Sequence, residues 1–144
     1  DFINPENIDQ NNLIIFENNL CFETSDFQNN KFKKFYIISN KNENRCIKLS
    51  EKVLKFKSSL IQDQEQRFKN QSIDCEVIDI SEIKKIEKAV GLYPTIGENL
   101  DYLNSNTFKI NFLYRELDQN SWQYCNKGFF NFKNYIPKII STLN

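Results

Sequence analysis

The chain contains no histidine and no methionine, and only three glycines and three prolines among 144 residues. Without histidine it lacks the side chain most often used as a general base near neutral pH and as a transition-metal ligand. It also lacks a C-x-x-C pair. Its four cysteines stand singly at positions 21, 46, 75 and 125, at separations that fit neither a zinc knuckle nor a dithiol redox couple. No metal and no cofactor are expected. A domain of this size needs no disulfide, and unpaired cysteine is among the most buried residue types, so reduced and mostly buried thiols are expected.

Net charge is missing too. Nineteen basic side chains balance nineteen acidic ones, which argues against a nucleic-acid partner, because such proteins normally carry a basic excess. No apolar run approaches the ~20 residues of a membrane span, so no transmembrane segment of its own is expected. The lack of methionine even at position 1 reads as a processed or truncated product, with any targeting peptide out of view.

What is present suffices for one core. The composition is 40% hydrophobic and 14% aromatic, with thirteen phenylalanines, and the length is that of one domain. Residues 1–19 are expected to form an N-terminal extension or docking arm, in which the apolar run 13–16 (LIIF) is an added edge strand or docking segment. Residues 20–24 (LCFET) read as a first strand, and 35–39 (FYIIS) as a central strand buried on both faces.

The longest helical pattern opens at Cys46. Cys46, Leu49, Val53, Phe56 and Leu60 recur at three and four residues and are expected to face the core, with Ser50, Lys52, Lys55 and Lys57 turned to solvent. A strand over 73–80 follows, then a helix over 82–90 that Ser81 caps and Gly91 ends. Residues 96–106 read as a surface loop. Alternation of Phe108, Ile110, Phe112 and Tyr114 predicts a strand over 108–115, with Lys109, Asn111 and Arg115 on its other face. A turn at 118–120 and a partner strand over 122–126 complete an antiparallel hairpin. A last helix after Asn134 carries Pro137 in its first turn, with Ile139, Ile140 and Leu143 on its inner face. Phe129, Phe130 and Phe132 are expected mainly in the core, with a docking patch as the alternative.

Residues 79–95, DISEIKKIEKAVGLYPT, run from a strand-end acid through a helix to Val-Gly-Leu-Tyr-Pro-Thr. With the strand 35–39 leading to the Cys46 helix, and Tyr124 to Gly128 before a closing helix, this order resembles the thioredoxin-like superfamily over residues 20–144. The resemblance implies a three-layer α/β fold, with a central mixed sheet of four to five strands flanked by helices. It implies that Pro94 is cis and faces the redox site. It also places Cys46 at the resolving position and Glu43 at the position of the nucleophilic cysteine, with Asn42 where a tryptophan is usual. A carboxylate cannot attack a disulfide, so a dithiol cycle is excluded. Glu43, Cys46 and Pro94 are then vestigial positions, and Asp79 caps or solvates a strand end.

The expected function is therefore a redox-inactive, non-enzymatic structural or accessory subunit of a larger protein assembly. An organelle interior such as the mitochondrion is favoured, with the secretory-pathway lumen second. One alternative is a peptide-binding or chaperone module of the protein disulfide isomerase type, using Tyr93, Pro94, Thr95 and Tyr36 as an apolar ledge. Another is a monothiol, glutathione-linked enzyme using Cys46 beside Arg45.

Overall fold

The computed structural model describes residues 8–95, 97–108 and 110–143. Among these residues, five strands form one sheet: β1 (Asn12–Phe16), β2 (Lys34–Ser39), β3 (Cys75–Asp79), β4 (Ala89–Leu92) and β5 (Asn111–Leu113). Their spatial order is β3-β2-β1-β4-β5, and every pairing is parallel. The α/β class is as expected; the mixed sheet is not.

The segment expected at an edge is the centre. β1 lies between β2 and β4, and Leu13, Ile14, Ile15 and Phe16 are fully buried. Side chains alternate faces along a strand, so four successive large apolar residues can all be buried only where both faces are covered. Leu13 and Ile15 join the layer of α1 (Glu51–Asn70). Ile14 and Phe16 join the layer of the 3-10 helix Ile80–Lys85 and of α2 (Glu98–Ser105). A domain beginning at residue 20 would omit this strand. Ile8 is buried in the α1 layer as well, while positions 1–7 of the expected arm lie outside the described residues.

Phe22 carries a second correction. It sits in a 3-10 turn, Phe22–Thr24, not a strand. Its ring meets Phe35 and Phe68 edge-on at centroid distances of 5.1 and 5.9 Å. An aromatic cluster thus pins α1 to the sheet.

α1 begins later than the pattern predicted, and it is turned differently. Ser50 caps it, its Oγ accepting from Val53 N–H at 3.4 Å, which leaves Cys46 outside the helix and exposed. The inward positions are Leu54, Lys57, Ile61, Gln64 and Phe68, about a quarter-turn from the expected stripe at ~100° per residue. Polar contacts set this phase: Lys57 Nζ reaches Glu17 at 2.9 Å, and Gln64 Nε2 donates to Glu23 at 3.0 Å. Val53, Phe56 and Leu60 consequently face outward, and Lys57 is not on a solvated face.

Further along, the expected helix 82–90 is the short turn Ile80–Lys85 followed at once by β4. Gly91 is inside that strand, where an added Cβ would lie 3.1 Å from Ile110 Cγ2 and 3.4 Å from the Phe112 ring. Close packing explains this glycine; it is not a helix end. The Tyr93–Pro94 bond is trans, as is every peptide bond among the described residues. The expected loop after it contains α2, with Ile96 outside the described residues. The alternating stretch 108–115 yields only three residues of β5, parallel to β4, and Lys109 is not described. No hairpin follows. Residues expected as turn and partner strand form the helix α3 (Glu116–Trp122) and a 3-10 turn, Cys125–Lys127.

The sheet and its layers make up a compact unit, Asp1–Leu113; a second unit, Tyr114–Asn144, is helical. The second unit holds α3, α4 (Phe129–Phe132) and α5 (Ile136–Ser141), the last with Pro137 in its first turn as expected. Tyr124 and Tyr135 stack at 4.5 Å. Ile139 is buried, but Phe129, Phe130 and Ile140 are exposed, so these phenylalanines are not core. No helix among the described residues is long and apolar enough to cross a membrane.

Candidate functional site

In an open parallel sheet, the chain reverses its direction of travel across the sheet at one point, and the crevice outside the carboxyl ends there is the usual binding place. Here that point lies between β1 and β4. The crevice is tied shut by amides. Asn18 Nδ2 donates to Pro94 O at 2.6 Å, and Asn19 Nδ2 to Tyr93 O at 3.5 Å. Asn99 Nδ2 donates to Asn18 Oδ1 at 3.4 Å, and Asn40 Nδ2 to Asn99 Oδ1 at 3.3 Å. The line runs from the end of β2, past β1, to the turn after β4.

Beside it lies a charge cluster. Arg45 has a fully buried side chain, and that of Glu17, the residue after β1, is 3% exposed. Arg45 Nη2 donates to Glu17 Oε1 at 2.7 Å, and its Nη1 pairs with Glu98 in the first turn of α2. Lys57 of α1 reaches the same Glu17 oxygen. A buried guanidinium is tolerated only when carboxylates face it, and here two do. Arg45 Nε and Asn40 Oδ1 are buried without a hydrogen-bond partner among the described residues, which leaves one donor and one acceptor of the cluster unmatched there.

The loop that carries Arg45 is braced from both ends. Asn42 Oδ1 accepts from Leu49 N–H at 2.8 Å, and its Nδ2 donates to Leu49 O at 3.1 Å. Lys48 Nζ donates to the carbonyl oxygens of Asn42, Glu43 and Arg45. On the sheet side, Asp79 accepts from Lys41 N–H at 3.1 Å and Asn44 Nδ2 at 3.0 Å, and from Ser81 N–H at 3.1 Å and Oγ–H at 2.5 Å. Burial would raise the Asp79 pKa, but the hydrogen bonds from Ser81, Lys41 and Asn44 outweigh it and hold the carboxyl below its ordinary value. Asp79 therefore does cap the strand end, as expected.

A cleft of about 360 Å³ opens between α1 and the carboxyl ends of β1, β2 and β3. Leu54, Ile61 and Val77 supply apolar wall, and Ser39, Lys41, Ser58 and Gln62 supply polar groups, with the Arg45–Glu17 pair at one side. Such a volume is at the small end of the range for ligand sites. No group of three or more Cys, Asp or Glu among the described residues is arranged to hold a metal ion.

The residues singled out in the sequence fall in three places. Tyr93, Pro94 and Thr95 stand together at the switch point, with Pro94 buried, Tyr93 half-buried with its ring edge-on to Phe112 at 5.5 Å, and Thr95 exposed at a φ of 62°. Tyr36 does not join them. It lies on β2 at the register of Ile14, with β1 between it and β4, and Lys34 Nζ sits over its ring. Glu43 and Cys46 flank Arg45 in the loop after β2, and both are exposed. The cysteines are free as expected, but Cys21, Cys46 and Cys125 are exposed and only Cys75 is partly covered.

Glu17, Glu98, Asn18, Asn40 and Asn99 belong to no motif in the sequence, and Arg45 stands out there only as a neighbour of Cys46. The signal for Glu17 was its place directly after LIIF. Had that run been read as a central parallel strand, the next residues would have stood at a carboxyl end.

Fold and site together define an open α/β domain with helical layers on both faces of a parallel sheet and a polar network across its strand ends. Compared with protein-family models, with curated proteins and with solved structures, the chain matches none.

Proposed function

We propose that this chain is a non-catalytic accessory subunit of a larger protein assembly. One observation carries the reading: the carboxylates at the strand ends are each held by donors of the chain itself. Glu17 is held by Arg45 and Lys57, Glu98 by Arg45, and Asp79 by four donors. A general base needs a lone pair free for the substrate proton and a pKa near the working pH; a carboxylate held below its ordinary pKa, as Asp79 is, serves as a brace. The amide line from Asn40 to Pro94 likewise occupies the crevice where a substrate would ordinarily sit.

Chromatography from the native source at moderate salt tests the reading. The 17.2 kDa chain is expected to elute with an assembly several times its own mass and in fixed stoichiometry. Elution as a lone monomer refutes it, as does a turnover by the purified chain that Glu17→Gln abolishes while the fold stays intact.

A further inference from the structure

The outward stripe of α1 is apolar and exposed. Val53, Phe56 and Leu60 recur at i, i+3 and i+7 and form one apolar shoulder, with Phe56 64% exposed. Their exposure has a structural cause. Lys57 and Gln64 are held inward by Glu17 and Glu23, and Phe68 is locked in the aromatic cluster. Turning the helix to bury the stripe would break all three. The unpartnered face is therefore a fixed feature of the folded subunit.

Charge identifies what fits there. On the solvent side of the stripe stand Lys52 and Lys55, both exposed and, among the described residues, in no ion pair. Of the nearby carboxylates, Asp63 is already paired with Arg67 at 3.1 Å, and Glu51, in the first turn of α1, lies about 140° around the helix axis from Phe56. The surface is an apolar line with a basic border about two helical turns long. It matches the apolar face of an amphipathic helix flanked by acidic residues. We propose that α1 docks an acidic amphipathic helix of a different protein, with Phe56 as the anchor. This rests on the accessory-subunit reading and names its docking face.

The test uses the full chain and two synthetic amphipathic helical peptides. Both carry leucines at i, i+3 and i+7; one is bordered by glutamates and the other by lysines. By fluorescence anisotropy the glutamate peptide should bind at least about tenfold more tightly. Phe56→Asp should weaken it about thirtyfold, as loss of an aromatic anchor does. The double variant Lys52→Glu, Lys55→Glu should reverse the preference. Because these side chains are exposed, unchanged thermal melts will show that the variants fold.

Equal affinity for the two peptides, or binding that Phe56→Asp leaves intact, overturns the proposal. A photo-crosslinker at position 56 in native cells gives a second readout. Capture of an acidic amphipathic segment of another protein supports the proposal, and a cross-link to a second copy or within the same chain overturns it. The two readings fail separately. A chain that is native only as a monomer removes the subunit reading, whereas a native assembly that survives Phe56→Asp removes only the docking face.

Discussion

Removing Arg45 is the most direct challenge to the buried charge cluster. Arg45→Met keeps most of the side-chain length but leaves Glu17, 3% exposed, without its closest cation. Breaking a buried pair from one side costs about 3–5 kcal/mol, because the remaining charge is stranded. Two features place this case at the lower end. Lys57 still reaches Glu17 at 2.9 Å, and Glu98, 35% exposed, can turn to water. A loss of about 3 kcal/mol is expected, which for a chain of this length is a fall in Tm of roughly 10 °C. The double variant Arg45→Met, Glu17→Leu strands neither charge, and it should recover at least about 2 kcal/mol relative to Arg45→Met alone. Urea denaturation followed by far-UV circular dichroism is the suitable assay, since the only tryptophan, Trp122, belongs to the other unit. A single-variant loss under about 1 kcal/mol, or a double variant worse than Arg45→Met, would refute the reasoning.

Three further outcomes follow from single sites. Asp79→Asn should cost about 1–2 kcal/mol at pH 7. The folded-state pKa of Asp79 is lowered, so its contribution is present above the ordinary carboxylate range and is lost as pH falls through the lowered value. The gap between wild type and variant should therefore close below about pH 4 in parallel urea titrations. Cys75 should react with iodoacetamide more slowly than Cys21, Cys46 and Cys125, because burial raises its pKa and partly covers the sulfur; mass spectrometry showing Cys75 modified first would contradict this. Gly91→Val should destabilise by about 1–3 kcal/mol, since even a Cβ would come within 3.1 Å of Ile110; an unchanged urea midpoint would mean that β5 yields freely.

Some of this protein was legible in its sequence, and the legible parts were local. The strand at 35–39, the strand before Asp79, the capping role of Asp79 and the placement of Pro137 in a first turn all depend on short-range chemistry that the chain carries in order. The α/β class was what the resemblance in element order implied, and the sheet with helices on both faces agrees with it. Partners distant in sequence decided the rest. LIIF reads equally well as an edge or a centre until β2 and β4 are placed on its two sides. The phase of α1 departs from its apolar periodicity because Lys57 and Gln64 are drawn inward by Glu17 and Glu23, forty and forty-one positions away. The stretch after Pro94 has the polar composition of a loop, yet it forms a helix whose Leu103 packs beneath the sheet. Arg45 gave no local sign of its role, since a buried guanidinium exists only where folding delivers carboxylates, here Glu17 and Glu98 from two other elements. Local patterning marked the strands before Asn40 and at Asp79 and the long helix α1; the tertiary structure decided whether the weaker segments became strand, helix or turn, and it set the order in the sheet, the rotation of α1 and the meeting of charges, because those depend on pairings that no local window contains.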